Sequence, residues 1–113
     1  MSDCIFCKIG AKELPARLIY EDADIFAFDD IHPQSPTHLL ICPRKHMVSL
    51  DDASQEDAAL LGKMLLVAKK LAAERKISGG YRTVINNGAG AGQSVDHLHL
   101  HVLGGRAMRW PPG

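Results

Sequence analysis

The clearest pattern in the chain is a run of apolar positions at three- and four-residue steps, Leu61, Met64, Leu65, Ala68, Leu71 and Ala72. That spacing keeps side chains on one face of a helix. Ser54 is a suitable N-cap, Glu56 and Asp57 favour the positive end of the helix dipole, Lys69, Lys70, Arg75 and Lys76 favour its other end, and Ser78-Gly79-Gly80 stops it. The pattern predicts one long helix of about 22 residues, or about 33 Å. Leu60, Leu66 and Val67 widen its apolar surface, which predicts packing on a sheet and also on a second subunit.

The remaining apolar runs are short and β-prone. Leu18-Ile19-Tyr20 and Ile25-Phe26-Ala27-Phe28 flank the turn-like Glu21-Asp22-Ala23-Asp24, which predicts a hairpin. His32-Pro33-Gln34-Ser35-Pro36 interrupts the chain before a third strand, His38-Leu39-Leu40-Ile41-Cys42, ended by Pro43. Tyr81 to Asn86 reads as a fourth strand, and residues 97–103 as a fifth. Residues 4–13 read as a short helical turn or loop. Strands, then a helix, then strands with short connections favour an antiparallel α+β sheet.

The fifth strand carries the chemistry. In His97-Leu98-His99-Leu100-His101-Val102-Leu103 alternate side chains face opposite ways, so three imidazoles line one face while the leucines enter the core. Same-face neighbours lie roughly 6.6 Å apart, close enough that three positive charges at neutral pH are unfavourable. At least one ring is then a neutral nucleophile or base. A metal cluster or a polar strand face is the blander reading. Just upstream, Asn86-Asn87-Gly88-Ala89-Gly90-Ala91-Gly92-Gln93-Ser94 offers small residues, amides and a hydroxyl, the makings of an anion cradle.

Composition narrows the class. At 113 residues the chain suits one domain spanning residues 1–113, with 104–113 as a tail. Lys plus Arg number 13 and Asp plus Glu number 13, so no excess charge favours nucleic acid. The longest apolar stretch, Ala58 to Ala73, is broken by Gly62, Lys63, Lys69 and Lys70 and is too short for a bilayer. Met1-Ser2-Asp3-Cys4 has no basic or apolar leader, which suggests a cytosolic location. Three cysteines, Cys4, Cys7 and Cys42, are an odd number in a reducing compartment and point to metal binding or thiols rather than disulfides. Cys4-Ile5-Phe6-Cys7 has the spacing of half a zinc site.

With φ for an apolar residue, His-φ-His-φ-His-φ-φ is matched in full by residues 97–103, and the sequence resembles the histidine triad family. Phe28-Asp29-Asp30-Ile31, Pro33-Gln34-Ser35-Pro36-Thr37-His38, Gly92-Gln93-Ser94-Val95 and the tail Gly104-Gly105-Arg106-Ala107-Met108-Arg109-Trp110-Pro111-Pro112-Gly113 resemble its Hint branch, the histidine triad nucleotide-binding proteins. The resemblance implies a dimerising HIT-like fold: a five-stranded antiparallel sheet, one long helix and a short N-terminal helix. It implies a hydrolase that cleaves the P–N bond of purine nucleoside 5'-phosphoramidates, such as AMP–amine conjugates, through a covalent nucleotidyl-histidine. Hydrolysis of dinucleoside polyphosphates, or a nucleotide-binding module with incidental turnover, are the alternatives.

Carried over residue by residue, the resemblance makes His99 the nucleophile, with its Nδ1 proton on a nearby main-chain carbonyl, and places His101 and His38 at the phosphate or leaving group. His97 opens the triad. Asn86, Gly92, Gln93 and Ser94 match the phosphate-holding loop, and Asp30 the carboxylate that meets the ribose hydroxyls. Phe6, Phe28, Ile31 and Leu40 would wall the base. Trp110 would reach a partner subunit's site across a homodimer. No cofactor is needed for the chemistry. A structural zinc on Cys4, Cys7, His46 and His97 is implied by some bacterial relatives, with two thiols packed on the core as the other reading. Asp96 stands where an apolar or aromatic residue is usual.

Overall fold

A computed structural model describes residues 3–113; the leading pair, on which the reading of the amino terminus partly rests, lies outside the described residues. Strands β1 (Leu18–Glu21), β2 (Ile25–Asp29), β3 (Thr37–Pro43), β4 (Tyr81–Val84) and β5 (Leu100–Gly104) form one antiparallel sheet in the order β1-β2-β3-β5-β4. The hairpin between β1 and β2 is closed by Asp22, whose carboxylate accepts the Asp24 and Ile25 N–H groups at 2.8 and 2.9 Å. This is the side-chain turn for which Asp is suited.

Helix α1 (Ile5–Gly10) and helix α2 (Ala58–Glu74) cover opposite faces of the sheet. Met64, Val67, Ala68, Leu71 and Ala72 of α2 pack on Ile25, Ala27, Leu39, Ile41, Leu100 and Val102. The intervening residues Phe26, Phe28, Leu40 and Cys42 face the other way and meet Phe6 and Ile9 of α1. Arg44 ties α1 to the hairpin, donating from Nη1 to the Gly10 carbonyl at 2.7 Å and from Nε to the Asp22 carbonyl at 2.8 Å. Among the described residues no helix is long and apolar enough to cross a membrane.

Several boundaries differ from the sequence expectation. The long helix has 17 residues rather than 22. At its start, Asp57 accepts the Ser54 N–H at 2.9 Å in a capping box, which tightens residues 55–57 into a 3-10 turn. At its end, the Ile77 N–H reaches back to the Ala72 carbonyl while Lys76 adopts φ 61°, a Schellman stop made without the glycine two residues on. Leu65 is half exposed, and Leu66 more so; Val67 takes the inward position.

β5 begins at Leu100, not His97, and β4 ends at Val84, not Asn86. The ladder with β3 stops at the Ile41–Leu100 pair. Before it, other bonds replace the ladder: His97 Nε2–H donates to the Pro43 carbonyl at 2.8 Å, and the Leu98 main-chain N–H donates to the Met47 carbonyl at 2.7 Å. The alternation of faces nevertheless persists, with Leu98 buried in the α2-side core and His97 against Phe6 and Phe26.

Candidate active site

The α1-side face of the sheet opens into a cleft of about 710 Å³, a size suited to a small-molecule ligand. Phe6, Phe28 and Leu40 form apolar walls, and Asp30, Ile31, Ser94, His99 and His101 also line it. Ile31 is 85% exposed and sits at the rim. Asn86, Gly92, Gln93 and Trp110 are not among the lining residues. Gln93 turns inward: its Oε1 accepts the Gly88 N–H at 2.8 Å, and its Nε2 donates to the carbonyls of Val48 and Val95 at 2.6 and 3.0 Å. All three bonds go to main chain, so Gln93 shapes the glycine-rich loop from within. Trp110 is 82% exposed, so the indole itself does not cover the core.

His99 and His38 are each oriented by a main-chain partner, and His101 by His38 in turn. His99 is nearly buried, and its Nδ1–H donates to the His97 carbonyl at 2.7 Å. A carbonyl only accepts, so Nδ1 carries a proton, and in the neutral ring Nε2 carries the lone pair. His38 is the opposite case. Its Nδ1 accepts the Gln34 N–H at 3.0 Å, so its proton is on Nε2, which lies 2.9 Å from His101 Nδ1 and 3.5 Å from Asp30 Oδ2. His101 Nδ1 is therefore an acceptor, and its own proton sits on Nε2. Asp30 is held by the His32 N–H, 2.8 Å from its Oδ1.

Burial, reinforced by the nearby His99 and His38, pushes His101 down from 6.5 to about 4 against the opposing pull of Asp30. Burial also lowers His38, again opposed by Asp30. Both rings are thus neutral near pH 7. Beside Arg17, Asp29 and His32, the cleft holds an apolar wall, the Asp30 carboxylate, the Ser94 hydroxyl, the His99 Nε2 and the His101 Nε2–H.

His97 is fully buried and faces a different set of groups. Its Nε2–H is committed to Pro43, which makes its Nδ1 a lone pair. That atom lies 3.3 Å from Cys4 Sγ, 3.5 Å from Cys7 Sγ and 3.1 Å from His46 Nδ1, and Cys7 Sγ lies 3.4 Å from His46 Nδ1. The four donor atoms all fall within 4.8 Å of one another. A tetrahedral zinc with Zn–N of about 2.05 Å and Zn–S of about 2.3 Å sets its ligand atoms about 3.3–3.8 Å apart. The donor set and its spacing fit that ion.

Sequence reasoning did not find Ile5, Ile9, Leu14, Pro15, Ala16, Arg17, Asp29, His32 or Val95 along the cleft. Ile5, Phe6 and Ile9 fall at helical spacing, a signal strong enough to have placed them on one wall. The segment 14–17 carries no such signal, since a loop without periodicity is located only by the fold.

The HIT domain family signature matches residues 11–108. An uncharacterized HIT-like protein of Synechocystis sp. is 53% identical over 111 residues, covering 98% of this chain and 97% of its own. The crystal structure of a HIT family hydrolase from Legionella pneumophila is 53% identical, with a TM-score of 0.96 over 98% of this chain and 100% of the other. A histidine triad nucleotide-binding protein from Candida albicans is 34% identical, with a TM-score of 0.82, covering 96% of this chain and 83% of that one. A family signature over most of the sequence and closely superposing relatives lead to one conclusion: this chain belongs to the HIT domain family.

Proposed function

We propose that the protein is a nucleotide hydrolase of the Hint type, which cleaves the P–N bond of a purine nucleoside 5'-phosphoramidate to a nucleoside monophosphate and an amine. The observation that carries this reading is His99, whose Nδ1–H is held on the His97 carbonyl while Nε2 keeps its lone pair in a ring that lines the cleft. Nε2 attacks the α-phosphorus, the P–N bond breaks, and the amine nitrogen takes up a proton. Water then attacks phosphorus, the P–Nε2 bond breaks, and the nucleotide leaves. Two steps replace one difficult displacement.

His101 meets the phosphate with Nε2–H. A neutral imidazole is too weak an acid to protonate an amine, but a phosphate anion bound beside it favours the charged form. Substrate binding therefore brings the proton that the leaving amine needs. Ser94 offers its hydroxyl to a phosphate oxygen, Asp30 accepts from the ribose diol, and Phe6, Phe28, Ile31 and Leu40 cover the base. Asn86, Gly92 and Gln93 act through the shape of the loop.

Cys4, Cys7, His46 and His97 would hold a structural zinc, which would tether α1 to the segment that enters β5. We assign the protein to a cytosolic homodimer, supported by Leu65 and Leu66 exposed on α2 and by Trp110 left uncovered. Light scattering in solution tests the dimer.

The decisive experiment incubates the protein with labelled adenosine phosphoramidate, quenches it during turnover and maps the adduct. Label on His99, with His99→Gly retaining AMP binding but not turnover, is the expected result. Turnover with the label on another side chain, or undiminished turnover in His99→Gly, overturns the assignment. Comparing AMP release from a diadenosine polyphosphate separates the phosphoramidase from a polyphosphate hydrolase.

A further inference from the structure

The tautomer of His38 is set by the Asp30 carboxylate, 3.5 Å from Nε2, and by the Gln34 main-chain N–H on Nδ1, and Gln34 is held from outside the cleft. Arg106, in the tail after β5, donates from Nε and Nη2 to the Gln34 carbonyl at 3.2 and 3.1 Å, while its Nη1 donates to the Ala107 carbonyl at 3.1 Å. The Gln34 carboxamide donates to the His32 carbonyl at 3.0 Å. Gly105 makes the turn that delivers Arg106: it has φ 90°, and a Cβ there would lie 2.9 Å from Pro36 Cβ. The tail is thus pressed onto the segment that precedes His38.

We propose that Arg106 is a positioning residue: by clamping the Gln34 carbonyl it keeps the Gln34 N–H on His38 Nδ1, and so fixes the direction of the whole chain of ring bonds. In that direction His38 Nε2–H points to His101 Nδ1, and His101 Nε2–H points to the cleft. The reverse direction puts a proton on His38 Nδ1, facing the Gln34 N–H donor to donor, and leaves His101 Nε2 as a second lone pair beside that of His99. Two lone pairs facing one phosphate oppose the negative charge that builds on its oxygens in the transition state, so direction matters to catalysis. Arg106 itself is exposed and is not among the cleft-lining residues. The proposal rests on the role given above to His101.

The test reads the rings and the rate separately. Long-range ¹⁵N–¹H correlation spectra of the free protein at pH 7 report which nitrogen of His38 and His101 is protonated. Steady-state hydrolysis of an adenosine phosphoramidate gives kcat and KM. Wild type is expected to show both rings protonated at Nε2 alone. Arg106→Ala is expected to mix the tautomers at both rings and lower kcat roughly three- to tenfold, the bias one neutral hydrogen bond supplies, with KM within about twofold. Arg106→Lys, which keeps a donor, is expected to recover part of both. Unchanged ring signals in Arg106→Ala overturn the clamp whatever the rates. A raised KM at constant kcat overturns it too, because it marks the residue as part of binding. Mixed tautomers with wild-type kcat leave the clamp standing and remove His101 from the chemistry, so the two failures are distinguishable.

Discussion

Lowering the pH should destabilise this fold specifically through His101. Burial first, and the neighbouring His99 and His38 rings second, hold that imidazole at about 4 in the folded protein against 6.5 for the free side chain, with Asp30 opposing. Between those values the unfolded chain binds a proton that the folded chain does not, so stability is full above pH 6.5 and is lost as the pH falls toward 4. A shift of about 2.5 units corresponds to about 3 kcal/mol in total, of which about 2 kcal/mol is lost between pH 7 and pH 5. Asn is the informative replacement, since its carbonyl oxygen falls near the position of Nδ1 and accepts the His38 Nε2–H without titrating. Urea unfolding of wild type and His101→Asn at pH 7, 6 and 5 measures the difference, and carboxylates titrating in both proteins cancel. Wild type should lose about 2 kcal/mol more than the variant over that range. Parallel pH dependences would refute the claim that the fold holds His101 neutral.

Lys76 ends α2 in the left-handed region at φ 61°, so Lys76→Gly should stabilise the protein by about 0.5–1 kcal/mol, read as a higher denaturation midpoint; no gain would show that the lysine side chain offsets the strain. Gly104 lies where a Cβ would come within 2.6 Å of Ile77 Cδ1, and Gly104→Ala should cost about 1–3 kcal/mol in the same measurement. A neutral result there would mean that β5 and the end of α2 separate without penalty. Protein purified without added metal should carry about one zinc per chain by elemental analysis, lost on Cys4→Ser together with several degrees of Tm. Equal zinc content after that substitution would remove the Cys4 ligand.

Much of the fold was legible because its signals are local. The hairpin is announced by Asp22 between two apolar runs, and the structure uses that carboxylate to close the turn. The long helix was legible in place and orientation, but not in its ends. Its first turn is set by a reciprocal bond between Ser54 and Asp57, and its last by a residue in an unfavourable conformation that no propensity scale would choose. Leu65 and Val67 exchanged roles because helical spacing leaves a broad apolar surface, and only the sheet beneath decides which part of it is buried.

The same division runs through the site. Alternation of histidine and leucine required the imidazoles to share a face, and that survives even where the strand ladder does not. The glycine-rich loop beside the triad was also readable from composition and order, but that Gln93 turns inward to shape it was not. Which ring does what was not. His97, His99 and His101 differ by two residues each in sequence and look equivalent there, yet each finds a different fixed partner: Pro43, its own neighbour's carbonyl, and His38. Pro43 and His38 lie on β3, and a carbonyl or an N–H at 2.7 to 3.0 Å dictates where a proton sits. Sequence by itself determined the residue types, their faces and the family they spell. Tertiary structure alone turned three like imidazoles into a ring facing two thiols and His46, a lone pair and a donor, because protonation state is set by what stands across each nitrogen.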